Sequence, residues 1–227
     1  MEKKYKLTDE TINLNGATLY RIEALKDFGE IKKGDKGGFI ESENNLAHEG
    51  NAWVSDNARV YGDAGEIDNA QVYGNAFVSG YAQVYGNAVV YGNAWASDNA
   101  RLCGYAWVSD NARVYGDANV CDDSSVFGNA LVYDNARVYG DALVRGYACV
   151  CGDAEISNKS DYIVFQNWWS SGRYFTWTRS NNMWSVGCFY GTGEELIKKA
   201  YKDSELSGRE YERIVKYVEE IRKDNGK

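Results

Sequence analysis

The sequence predicts a mainly β protein: a parallel β-helix of triangular coils, with a β cap at its N-terminal end and an antiparallel β-meander plus two helices at its C-terminal end. Three observations predict it. Between residues 51 and 158 a six-residue unit, roughly Gly/Asp-Asn/Asp-Ala-x-Val-x, repeats without a gap. Every position divisible by six from Val54 to Ile156 holds Val, Leu or Ile, with Glu66 and Ala96 as exceptions. The position four residues after each is Ala from Ala58 to Ala154, Ser124 excepted. A fixed short period marks a solenoid, and a six-residue one marks a parallel β-helix.

Residues 1–50 read as the N-terminal cap. Tyr5 to Leu7, Thr11 to Leu14 and Thr18 to Ile22 are short β patterns around Asn15-Gly16, a hairpin signal. Gly34-Asp35-Lys36-Gly37-Gly38 is a turn that lacks the spacing and the Lys-Ser/Thr ending of a phosphate loop. A solenoid needs its open end covered, which gives this segment its expected role.

Residues 51–158 form the prism. Neighbouring strand residues point to opposite faces, so in Arg59-Val60-Tyr61 the valine points inward and its flanks outward. The Gly/Asp and Asn/Asp that follow tolerate positive φ at a corner, where the small Ala fits. Three strands and three corners make a coil of 18 residues, and the run holds about six coils. At a strand spacing of roughly 4.8 Å the prism is about 29 Å long. The pattern resembles that of hexapeptide-repeat proteins, which implies a left-handed helix and, in many relatives of that kind, a trimer. The segment Leu19 to Gly29, then Lys33 to Glu43, then hexads is similar to the opening of uncharacterised bacterial and prophage β-helix proteins. That resemblance implies a phage or prophage origin and carries no established activity.

The outward residues differ by face. One face carries Trp53, Val89, Trp107 and Leu143 before its core valines and Tyr73, Tyr91 and Phe127 after them. A second carries Phe77, Trp95 and Leu131 with Tyr61, Tyr115 and Tyr133, and the third is more polar. Aligned aromatics on a sheet face call for a cover, so an oligomer or partner face is expected. Glu66 falls in phase with the buried valines, and the flanking Gly65 and Ile67 suggest a bulge that turns Ile67 in and Glu66 out. Cys103 and Cys121 lie one coil apart, and free thiols are expected there; Cys149 and Cys151 share one strand face.

Residues 159–227 change character. Tyr162 to Trp169, Arg173 to Arg179 and Met183 to Tyr190 read as three strands of a meander, followed by two helices with capping boxes at Thr192 to Glu195 and Ser207 to Glu210. Tyr211, Ile214, Val215, Val218 and Ile221 form one apolar stripe. Trp168, Trp169, Trp177 and Trp184 stand among Arg173 and Arg179, the residue types that dominate binding hot spots, and these six are the expected partner-binding patch.

Charge narrows the function. The prism carries 5 basic and 13 acidic residues and no Lys, which argues against its faces binding a phosphate backbone. The C-terminal part carries 12 basic and 10 acidic residues. No apolar run is long enough to span a bilayer, and Met1 to Glu10 does not read as a signal peptide, so a cytoplasmic protein with no membrane is expected. Hexapeptide-repeat acyltransferases use a His base; the single candidate here is His48, in phase with the buried valines, and no long loop interrupts the hexads. One His is too few for a three-His zinc, and no Gly-x-Ser-x-Gly or Cys-x-x-Cys is present, so no metal or cofactor is expected. The resulting expectation is a non-catalytic, oligomeric binding protein, trimeric by resemblance. It would inhibit a host antiviral defence by occluding a host protein, in the manner of an anti-CRISPR protein. The alternatives are sequestration of a nucleotide signal and an acyltransferase.

Overall fold

The computed structural model describes residues 2–14 and 16–224. Strands β1 (Tyr5–Leu14) and β2 (Ala17–Ala24) form an antiparallel hairpin closed by the pair Leu14 and Ala17; Asn15 itself lies outside the described residues. Strand β3 (Lys36–Ile40) pairs antiparallel with β2 and parallel with the prism, so the cap continues one prism face. Eighteen two-residue strands then follow at six-residue intervals, from β4 (Trp53–Val54) to β21 (Glu155–Ile156). They stack into three parallel sheets, each strand pairing with the one 18 residues on, and their inward Val, Leu, Ile and Ala make one continuous core.

The solenoid has about seven turns, one more than the repeat run alone provides. The extra turn comes from the cap: Ile40 pairs with Val60, and Leu46 bridges Glu66, both at a separation of 20. From Trp53 onward the separation is 18, so two residues too many lie between Leu46 and Ala52. Leu46, not His48, therefore takes the inward place, and His48 is out of phase with the buried valines. Buried Asn45 fixes this irregular turn, donating from Nδ2 to Gly62 O at 2.9 Å and to Ala64 O at 2.8 Å.

The ladder also decides Glu66. Gly65 N donates to Ala82 O and Ile67 N to Val84 O, so the strand keeps its register and no bulge forms. Glu66 points inward with 0% exposure, while Ile67 is 50% exposed, the reverse of the expected orientation. A one-residue slip would cost the hydrogen bonds on both sides, and those outweigh the exposure of one carboxyl.

Corner chemistry follows the sequence. Asp56, Asp68, Asp98, Asp110, Asp122 and Asp134 have positive φ. Each accepts from the N–H of the glycine one coil further on, at 3.0–3.2 Å. No Asp stands over another at these positions. Cys103 and Cys121 are joined as a disulfide across adjacent strands, where free thiols were expected. Stacking puts their Cα atoms 4.5 Å apart, within the range a disulfide spans, so the coil geometry outweighs the compartment argument.

The two ends of the prism leave opposite backbone groups without the next coil, and the caps answer each in kind. At the first coil the orphans are carbonyls: Lys4 Nζ donates to Ala52 O at 2.9 Å and Tyr5 OH to Leu46 O at 2.7 Å. At the last coil they are N–H groups: Cys149 N donates to Thr176 Oγ1 at 2.8 Å, Glu155 N to Ser180 Oγ at 2.7 Å and Arg145 N to Tyr162 OH at 3.3 Å. Thr176→Val keeps the shape and removes an acceptor, so it is expected to lower stability by about 1–3 kcal/mol, read by urea denaturation.

The C-terminal sheet has four antiparallel strands, β22 (Tyr162–Gln166), β23 (Tyr174–Thr178), β24 (Met183–Val186) and β25 (Phe189–Gly191). The third expected strand divides at Gly187, whose φ is +59°. Helix α1 (Gly193–Asp203) starts from the Thr192 capping box as expected. Helix α2 (Glu205–Asp224) starts before Ser207: Ser204 Oγ accepts from Ser207 N at 3.0 Å, so the expected second box lies inside the helix. No described helix is long and apolar enough to cross a membrane.

Candidate functional site

The meander is covered on both faces, which redistributes the expected partner patch. Thr176 and Ser185 reach Cys149 on the prism, while Phe175, Trp177, Trp184 and Val186 pack with Leu196, Ala200, Tyr211, Val215 and Val218 of the helices. Trp177 and Trp184 are therefore core, directly paired across β23 and β24, and do not form a free surface. Trp169 is half-buried, edge-on to Tyr211 at 5.6 Å. Trp168 is 82% exposed. Arg173 and Arg179 are both exposed but flank β23 at its two ends, roughly 20 Å apart along an extended strand. Alternation cannot assign an outward set when both faces are buried.

Arg179 instead lines a cleft of about 790 Å³ where the end of the prism, the meander and α2 meet. Its walls are Lys159, Ser160, Tyr162, Ile163, Trp177, Arg179, Ile221 and Arg222. Three of these are cationic, and none of the described lining residues is acidic. Arg222 is held in place: it donates to Asn182 Oδ1 at 2.7 Å and lies 5.8 Å from the Trp177 ring centroid. Trp177 Nε1 donates to the same Asn182 oxygen at 3.0 Å. The Tyr162 hydroxyl is spent on the prism, donating to Leu143 O at 2.9 Å, and burial raises its pKa above the ordinary phenol value. What remains for a ligand is two guanidiniums, an ammonium, a serine hydroxyl and apolar walls. That set suits a phosphate or carboxylate attached to a flat or apolar body. Lys159 and Arg222 carried no local signal, because 63 residues separate them and only the docking of α2 brings them together.

The prism faces are partly spoken for. Trp53 is 2% exposed, covered by Phe28 at 5.3 Å and Tyr5 at 6.4 Å, so the cap removes it from the expected contact face. Tyr73 stacks on Tyr91 at 5.0 Å, and Tyr91 meets the edge of Trp107 at 6.0 Å. Val89, Phe127 and Leu143 are half-buried, while Trp107 is 50% exposed. The second face bears a ladder in which Arg59 lies 4.8 Å from the Phe77 ring, Phe77 stands 5.0 Å from Trp95, and Arg113 lies 5.4 Å from Trp95. His48 belongs to the N-terminal cap: its ring stacks on Tyr5 at 4.3 Å, Nδ1 accepts from Lys4 N at 3.2 Å, and Nε2 lies 3.5 Å from Glu43 Oε2.

Comparison with known families gives the class. Residues 70–83, 82–98 and 132–146 match the repeat family described as YdcK beta solenoid repeat. All three stretches lie in the prism, and with the stacked coils they define a β-helix repeat protein. No curated protein matches the chain.

Proposed function

We propose that this is a non-catalytic binding protein of phage or prophage origin that interferes with a host antiviral process by sequestering a small phosphorylated ligand. The observation that carries the reading is the convergence of Lys159, Arg179 and Arg222 on one cleft in a chain of net charge −8. Its volume falls in the range of ligand sites, and two guanidiniums with an ammonium suit the phosphate of a nucleotide. Equilibrium dialysis against cyclic mono- and dinucleotides, with inorganic phosphate as competitor, tests it. Retention of a nucleotide is expected, and replacing both Arg179 and Arg222 with Glu weakens it by well over about tenfold, since each lost charged hydrogen bond is worth about 1.5–3 kcal/mol. Equal retention by that variant, or none by the native protein, discards the cleft.

Exposed Trp168 favours a second reading, occlusion of a host protein surface. A nuclease-resistant, stoichiometric partner lost on Trp168→Ala but kept by the arginine variant would favour it. The same proposal includes a left-handed helix and a trimer. Exposed Trp107 beside Tyr91 supports the association, and mass in solution tests it.

A further inference from the structure

The first strand of the meander, β22, has a neighbour on one side only, β23. Its two faces are covered: Tyr162 and Val164 pack on the prism core, Ile163 and Phe165 on the core shared with the helices. Its outer edge is open. Arg179 N donates to Asp161 O and Asn167 N to Arg173 O, both at 2.7 Å, which fixes the phase of the ladder. Opposed residues of an antiparallel pair alternate between bonded and non-bonded, so Asp161, Ile163, Phe165 and Asn167 turn their N–H and C=O toward β23. Tyr162, Val164 and Gln166 turn theirs the other way, and no described group bonds to their backbone.

This strand borders a groove of about 750 Å³ against the last coils of the prism. The prism wall includes the corner glycines Gly128 and Gly146, and a Cβ at Gly146 would meet nothing, so a second backbone can approach closely there. Arg145 and Lys159 line the groove, and no described carboxylate pairs with either. The one acid among the described lining residues, Asp110, spends Oδ2 on Gly128 N at 3.0 Å. A row of open N–H and C=O groups is a template for a further strand, and the two cations select its charge. A second copy of β22, Tyr-Ile-Val-Phe-Gln, would bring them no carboxylate. A phosphate backbone would answer the cations and leave the strand edge unmatched.

We infer that the free edge of β22 is a docking site for an extended acidic peptide of a partner protein, which adds to the meander as a further strand and sets Asp or Glu against Arg145 and Lys159. Contact along the five residues of β22 spans about 17 Å. The site is independent of the nucleotide reading of the neighbouring cleft, although Lys159 borders both.

The probe is a library of random heptapeptides selected on the immobilised native protein. The winners are expected to carry Asp or Glu among β-branched and aromatic residues, and a synthetic copy of the best is measured by fluorescence anisotropy. Arg145→Glu is expected to weaken it by about tenfold or more, since a charged hydrogen bond becomes a repulsion. Val164→Pro removes an N–H that the meander does not use, and an open edge tolerates Pro, so binding is lost while circular dichroism is kept. A strand presents alternate backbone nitrogens to its neighbour, so methylating every second nitrogen of the peptide abolishes binding in one phase and spares it in the other. Bound peptide is expected to slow hydrogen exchange at Val164 and Gln166 by about tenfold or more. The variant with Glu at both 179 and 222 binds the peptide as the native protein does, whatever becomes of the nucleotide. Enrichment of no sequence or of basic ones, methylation effects without the two-residue alternation, or loss of the peptide in that double variant overturns the inference. So does a dimer of the free protein in which the Val164 and Gln166 amides are already protected, because a second copy then holds the edge.

Discussion

Glu66→Val is expected to raise stability at pH 7 by about 1–3 kcal/mol, measured as the midpoint of urea unfolding. The carboxyl lies fully buried between Leu46 and Val84 in its ladder, and neither oxygen has a hydrogen-bond partner. Burial raises its pKa well above the ordinary carboxylate range, so it enters the core protonated. Lys4 is the nearest opposing charge, but its Nζ is spent on Glu49 O and Ala52 O, and no ion pair joins it to Glu66 among the described residues. The substitution thus removes an unsatisfied polar group without stripping Lys4 of an acceptor. The pH dependence gives a second reading. Above about pH 4.5 the unfolded carboxyl has lost its proton while the folded one keeps it, so native stability falls as pH rises, and the variant lacks that fall. Lys4, held down to about 8 by burial, acts in the opposite sense: between about 8 and 10.5 the unfolded amine is protonated and the folded one is not, so stability rises with pH. A loss of 3–5 kcal/mol in Glu66→Val at pH 7 would show instead that the two groups are ionised and coupled.

Trp184→Ala is expected to lose about 3–5 kcal/mol, and to lose it locally. The indole packs 6.0 Å from Phe175 and 6.2 Å from Phe165, inside the small core that the meander shares with the helices. That core is separate from the prism core, and solenoids unfold in neighbouring units. Hydrogen exchange should therefore speed up after residue 159 at a temperature where the amides of central coils stay protected. Any ligand or partner lost by this variant would be lost through the collapse of the cap. Unchanged stability with abolished partner binding would return Trp184 to the surface role its composition suggested.

The period made the prism legible to the residue, because each hexad repeats the same burial demand and each error would be repeated eighteen times. The failures fall where a local rule met a distant neighbour. Gly65 and Ile67 argued for a bulge, yet the coils above and below fix that strand through backbone bonds the hexad alone does not display. Trp53 read as exposed because its cover, Phe28 and Tyr5, belongs to the cap. His48 read as inward because the period was counted through a turn that holds two extra residues. At the candidate site Arg179 was legible from its aromatic neighbourhood. Its partners Lys159 and Arg222 were not, since neither residue has a spacing that announces a shared cleft. The hydroxyls of Thr176, Ser180 and Tyr162 carried no signal at all: they matter only because the last coil ends with donors that have nowhere else to go.

The aspartates at the corners turn the prism into a text with a grammar. Each reaches forward to a glycine, and like charges placed directly opposite on neighbouring strands repel. Removing residues 75–92, one whole coil, still leaves a glycine after every corner aspartate. Removing residues 111–128 would set Asp98 beneath Asp134. A solenoid of identical units would accept loss or duplication anywhere along its axis. This one carries its own punctuation, which allows its length to change at some joints and resists change at others.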